Sequence, residues 1–273
     1  MNETQARFNI QIPEIDEIEQ GEEFFTIEVD GRPEKIRFHD YDRIYEIPGL
    51  YEHLFYDRYQ CNSPEVVCGL LKERLAAAPK NDNGKLTALD IGAGNGMVGE
   101  QLVNLGAETV VGIDIIEEAA RAARRDRPGV YADYHVADLT RLGPELIESL
   151  SAMNFNCMTI VAALGFGDIP PMAFAAGYNF VGPDGWIAFN IKEDFVCKED
   201  ETGFCNLIAL LEEKGMMEIQ ERRRYRHRFC QDGAPLYYHA VVGKKRQDIP
   251  LEMVQGLRVG FPKASSVSGE PVL

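Results

Sequence analysis

The stretch Leu89-Asp90-Ile91-Gly92-Ala93-Gly94-Asn95-Gly96-Met97-Val98-Gly99 sets four glycines behind an aspartate at the end of an apolar run. Glycine tolerates positive φ and lets a ligand approach the backbone closely. A tight turn needs one or two such residues. Three at alternate positions, opening a helix, ask for a ligand. The stretch therefore reads as a strand end, a binding loop and a helix start. In a doubly wound sheet such a loop lies where ligands bind, at the C-terminal ends of the strands.

Strands and helices alternate outward from this loop. Residues 86–92, 109–115, 131–139, 157–164 and 185–191 read as strands with helices between them. Residues 157–164 are apolar on both faces, as a central parallel strand should be. Two further strand-like runs, 217–229 and 236–246, are joined by a turn too short for a helix and so form an antiparallel hairpin. The expected fold is α/β, a doubly wound sheet of seven strands, mostly parallel, with helices on both faces.

Before this unit, residues 23–38 read as a β-hairpin. Phe25, Ile27 and Val29 share a face, and Ile36 and Phe38 meet them across an Asp30–Gly31 turn. Residues 41–60 hold five tyrosines, at 41, 45, 51, 56 and 59. The expected organisation is an N-terminal hairpin and tyrosine-rich segment (1–60), a ligand-binding domain (61–247) and a C-terminal tail (248–273), with residues 263–271 mobile.

Composition narrows the function. Hydrophobic content of 45% and charged content of 26% are ordinary for a globular protein. The start has no basic residues ahead of an apolar stretch, and no apolar run is long enough to span a bilayer, so a cytoplasmic protein without a membrane partner is expected. A net charge of -16 disfavours a nucleic-acid partner. Half of it comes from residues 1–50, which carry 13 acids and 5 bases. The six cysteines form no C-x-x-C pair and match no zinc motif, so no metal is expected.

Two nucleotide cofactors compete for the glycine loop. A dinucleotide wants G-x-G-x-x-G, with a small third residue for helix packing. Here Met97 stands at that place. The alternative is S-adenosylmethionine, which has no phosphate and whose positive end suits acidic and carbonyl neighbours such as Asp90.

Asp90 to Gly96 resembles motif I of the class I S-adenosylmethionine-dependent methyltransferases, acid-x-G-x-G-x-G, and the resemblance extends over about residues 61–245. It implies a Rossmann-like fold whose last two strands are antiparallel. It implies a cofactor site of Asp90, Gly92, Ala93 and Gly94, with Asp114 and Ile115 at the ribose. Asp138 and Leu139 would hold the adenine, and Ala163 and Leu164 the methionine end. It also implies an N-terminal lid, for which the tyrosine segment is the candidate.

The acceptor is less legible. Phe166, Asp168, Asn190 and Lys192 follow strand ends at the functional edge and are candidate substrate contacts. His39, Tyr59 and Asp168 are candidate catalytic groups. The expected activity is methyl transfer to a small molecule. The alternatives are a non-catalytic cofactor-binding scaffold and, disfavoured by Met97 and the terminal hairpin, a nicotinamide-dependent dehydrogenase. Strict alternation puts Arg222, Arg224, Arg226 and Arg228 on one face of an edge strand. They can guard that edge, or meet the acidic residues 13–23 in a salt-sensitive contact, within the chain or in a homodimer.

Overall fold

A computed structural model describes residues 8–13, 18, 20–79, 85–164, 168–196, 202–255 and 257. The chain begins with β1 (Ile10–Gln11), β2 (Phe24–Val29) and β3 (Arg32–Arg37), an antiparallel three-stranded sheet. Asp30 and Gly31 both have positive φ, 51° and 77°, the geometry that a two-residue hairpin turn requires. Phe25, Ile27, Ile36 and Phe38 are buried on one face. There they meet α1 (Tyr41–Glu46) and α2 (Leu50–Glu52), which widens into a π-helical turn over His53–Arg58.

The larger unit is α3 (Ser63–Ala77), β4 (Leu86–Ile91), α4 (Met97–Asn104), β5 (Ala107–Asp114), α5 (Glu117–Asp126), β6 (Asp133–Val136), α6 (Pro144–Ala152), β7 (Phe155–Ile160), α7 (Pro171–Asn179), β8 (Val181–Lys192), α8 (Phe204–Glu213), β9 (Met217–Phe229) and β10 (Pro235–Lys245). The seven strands run in the order β6-β5-β4-β7-β8-β10-β9. The first five are parallel; β10 pairs antiparallel with both β8 and β9. The expected Rossmann-like architecture is present. Period-2 alternation splits the core between the two faces. Leu89 and Ile91 of β4 pack with α7 and α8, while Ala88 packs with α3 and α4. The strand order reverses between β4 and β7, so the ligand cleft opens at their C-terminal ends.

Three local readings are corrected. The third strand covers 133–136 rather than 131–139, because Tyr131 turns its hydroxyl inward to Asp90 and Asp138 closes a turn onto Thr140. The fourth ends at Ile160, and Ala162 takes φ 58°. Of the residues expected to form a tail, Ile249 to Gln255 pack back onto the fold. Ile249 and Asn179 exchange two hydrogen bonds of 2.8 Å, and Ile249 and Val254, the latter in α9 (Leu251–Gln255), are buried. Residues 263–271 lie outside the described residues. Among the described residues no helix is long and apolar enough to cross a membrane.

Candidate active site

Strand β4 delivers the glycine loop. Gly92 and Ala93 donate their N–H groups to Ile113 O, which ties the loop to β5. Gly92, Gly94 and Gly96 all have positive φ. A Cβ on Gly92 would lie 2.8 Å from Ala163 Cβ, and one on Gly94 would lie 2.5 Å from Tyr45 Oη. The bareness of the loop therefore has two causes here, backbone conformation and the close approach of Ala163, after β7, and Tyr45 of α1.

Asp114 ends β5 and lines the cleft. Its Oδ2 accepts Gly94 N–H at 2.9 Å and its Oδ1 accepts Ile116 N–H at 3.0 Å. A carboxylate has about four lone-pair positions, so each oxygen keeps capacity for a ligand hydroxyl. Burial pushes its pKa up, against the backbone N–H groups that pull it down. Beside it Ile115 is 62% exposed, unusual for an isoleucine, and lines the same cleft with Asp138 and Leu139. An uncovered apolar side chain next to Leu139 fits the face of a flat ring. Asp138 is held below the usual carboxylate range by Thr140, whose hydroxyl and N–H it accepts. The opposite wall is Ala162 and Ala163, with Asp168 and Ile169.

Asp90 is placed differently from the expectation. It is buried beneath the loop, where Thr159 Oγ1 and Tyr131 Oη donate to it at 2.7 and 2.8 Å. Burial raises its pKa to about 7. It braces the loop from behind, as does Tyr134, whose hydroxyl donates to Gly94 O.

The tyrosine segment covers the cleft. Tyr41, Tyr45 and Tyr51 line it. Glu52 fixes this cover to the loop by accepting from Asn95 Nδ2 at 2.9 Å and from Arg127 Nη1 at 2.8 Å. Behind Tyr41 and Tyr51 lies a second cavity of about 40 Å³. Ala162, Ala163 and Asp168 line both. His39 and Leu164 line the second, and His39 Nδ1 is 3.6 Å from Asp168 Oδ2.

Other candidates fall elsewhere. Tyr59 sits in the hairpin core, edge-on to Phe38 at 5.0 Å, and is buried by that packing. Asn190 is buried and works on the backbone. Its Oδ1 accepts Ala162 N–H, and its Nδ2 donates to Ser63 Oγ and Tyr225 Oη. Lys192 pairs with Asp194 at 2.8 Å, outside both cavities. Phe166 lies outside the described residues. Sequence reasoning missed His227, which lines the second cavity and is 2.5 Å from Ser63 Oγ. Its signal in the sequence is a histidine that interrupts an arginine-rich strand.

The arginine stripe divides. Arg222, Arg223 and Arg224 pair with Glu212, Glu73 and Glu193 at the surface. Among the described residues only Arg228 meets the acidic stretch, in a buried pair with Glu23. His227 is the extra residue of a β-bulge, since Arg226 pairs with Tyr237 and Arg228 with Leu236.

Residues 88–185 match the family model for a methyltransferase domain. That segment is a methyltransferase domain. S-Adenosylmethionine is its cofactor, and Gly92, Asp114, Ile115 and Leu139 line the cleft. No curated protein matches the chain in sequence. Among solved structures, the N-methyltransferase NodS of Bradyrhizobium japonicum WM9 in complex with S-adenosylhomocysteine aligns at 15% identity and TM-score 0.52, over 76% of this chain and 97% of that one. Magnesium protoporphyrin IX methyltransferase (ChlM) of Synechocystis PCC 6803 aligns at 16% identity and TM-score 0.48, over 76% and 97%. The ribosomal protein L11 methylase of Lactobacillus delbrueckii subsp. bulgaricus aligns at 17% identity and TM-score 0.42, over 67% and 79%. The methyltransferase shares its fold with NodS.

Proposed function

We propose that this methyltransferase acts on a small molecule held beneath the N-terminal segment, which serves as a lid. One observation carries the reading. Beside the cofactor cleft, sharing Tyr41 and Tyr51 with it, lies a second small cavity lined by the N-terminal segment, the β9–β10 hairpin and the residues after β7. A folded protein or a duplex has no room there, whereas a small acceptor does.

Bound S-adenosylmethionine supplies a methyl group on a positive sulfur, and the activation resides in that cofactor. The chain's own contribution is position and desolvation. Asp114 offers its remaining lone pairs to the ribose hydroxyls, while Ile115 and Leu139 flank the ring. Tyr41, Tyr45 and Tyr51 exclude water from the cleft, and Ala162 and Ala163 set the wall shared by donor and acceptor.

The test is calorimetric titration of the full chain with S-adenosylhomocysteine, followed by a methyl-transfer screen over small metabolites, a protein extract and RNA. Tight binding with transfer to a small molecule is expected. Transfer only to protein or RNA would overturn the acceptor class. Binding with no transfer to any of them would favour a scaffold.

A further inference from the structure

We propose that the second cavity binds the head group of a small amine, with Asp168 and the surrounding rings holding its ammonium form and His39 receiving its proton. This rests on the reading that the cavity is the acceptor site.

The charges around the cavity select the class. Asp168 faces both cavities, and Asp114 and Asp138 line the adjoining one. The cation in the wall, Arg228, is already committed. It donates to Phe229 O at 2.7 Å and to both carboxylate oxygens of Glu23, which is fully buried. A carboxylate or phosphate acceptor therefore meets Asp168 and, among the described residues, no available guanidinium. An ammonium meets Asp168 and the rings of Phe38, Tyr41, Tyr51, Phe55 and Tyr238. Aromatic faces attract cations, most strongly where water is excluded. The net charge of -16 draws cations toward the protein in general.

His39 supports the same class. It shares the cavity wall with Asp168, its Nδ1 3.6 Å from Asp168 Oδ2. An imidazole is a modest base, with an unperturbed pKa of about 6.5. It can take a proton from an alkylammonium of pKa ~10 far more readily than from an alcohol, which is nearly as weak an acid as water. The proton balance closes. The ammonium gives one proton to His39, which passes it to water. The freed nitrogen lone pair forms the new N–C bond as the sulfur–carbon bond breaks, and that bond's electron pair stays on sulfur.

The experiment is calorimetry on the full chain saturated with S-adenosylhomocysteine. The probes are propylamine and benzylamine, each with its alcohol and carboxylate isosteres. The amines should bind at least tenfold more tightly than either isostere. Asp168→Asn should weaken amine binding at least tenfold and leave alcohol binding within twofold. His39→Gln should keep amine binding, and where the amine is methylated should slow turnover near neutral pH and recover as pH rises. Amines that bind no better than the alcohols, or an Asp168→Asn variant that weakens both alike, overturn the proposal. Failure of S-adenosylhomocysteine itself to bind would instead remove the reading beneath it.

Discussion

Asn190 Oδ1 accepts the backbone N–H of Ala162 at 2.6 Å, and Ala162 sits at φ 58°. A non-glycine residue in this left-handed region is strained by about 1–2 kcal/mol, and such strain persists where the surroundings over-determine it. Asn190 does so from a buried network with Ser63 and Tyr225. The strained residue forms a wall of both cavities.

Asn190→Ala should therefore cost about 2–4 kcal/mol of stability, from lost bonds and from buried partners left without them. Adding Ala162→Gly should recover part of that loss, because glycine adopts the left-handed conformation freely. Urea unfolding of the two single variants and the double variant measures the coupling. Strict additivity would mean that Asn190 does not hold this conformation.

Asp114 holds the loop through Gly94 N–H and Ile116 N–H and lines the cleft. Asp114→Ala should weaken S-adenosylhomocysteine binding by about 1.5–3 kcal/mol, the scale of hydrogen bonds to charged groups. Asp114→Asn should lose less, since the amide oxygen still accepts from the backbone. Calorimetry ranks the three proteins, and equal affinity across them would remove Asp114 from the binding site.

The parts of this site legible in the sequence are those set by local chemistry. Asp30–Gly31 announces its turn, and Gly92 and Gly94 announce a positive-φ loop, because each depends on its own backbone. Side-chain direction is a tertiary property and was harder to read. Asn190 stands near a strand end at the functional edge, a place that suggests a ligand contact. A lone amide in the apolar run Trp186 to Ile191 equally signals a buried partner, and Ala162 is that partner. Arg222 and Arg224 share the exposed face that alternation implies. The bulge at His227 broke it, and turned Arg228 into the interior.

That interior pair behaves unlike the surface contact expected from the charge pattern. Glu23 and Arg228 are both buried, and Glu23 also accepts Gln231 N–H. Breaking a buried pair leaves a charge without compensation, at roughly 3–5 kcal/mol. Glu23→Ala should destabilise on that scale and loosen the hairpin from β9. Because salt screens buried pairs weakly, the loss should be nearly the same in low and high salt. A loss that vanishes in high salt would place the pair at the surface.

Asp90 predicts a pH signature. Burial raises its pKa from 3.8 to about 7 in the fold. Between these values the folded protein binds more protons than the unfolded chain, so this group's contribution to stability falls as pH rises. The contribution is complete below the unfolded value and gone above about 7. Asp90→Asn removes the titration while keeping the shape, and the hydroxyls of Thr159 and Tyr131 can rotate to suit an amide. The stability of the wild type relative to this variant should therefore fall by on the order of 2–4 kcal/mol as pH rises through that window, then level off. Urea unfolding of both proteins near pH 4.5, 6 and 8 tests it, the pH values spanning the roughly three-unit shift. A difference that stays constant across the three would show that Asp90 does not take up a proton on folding.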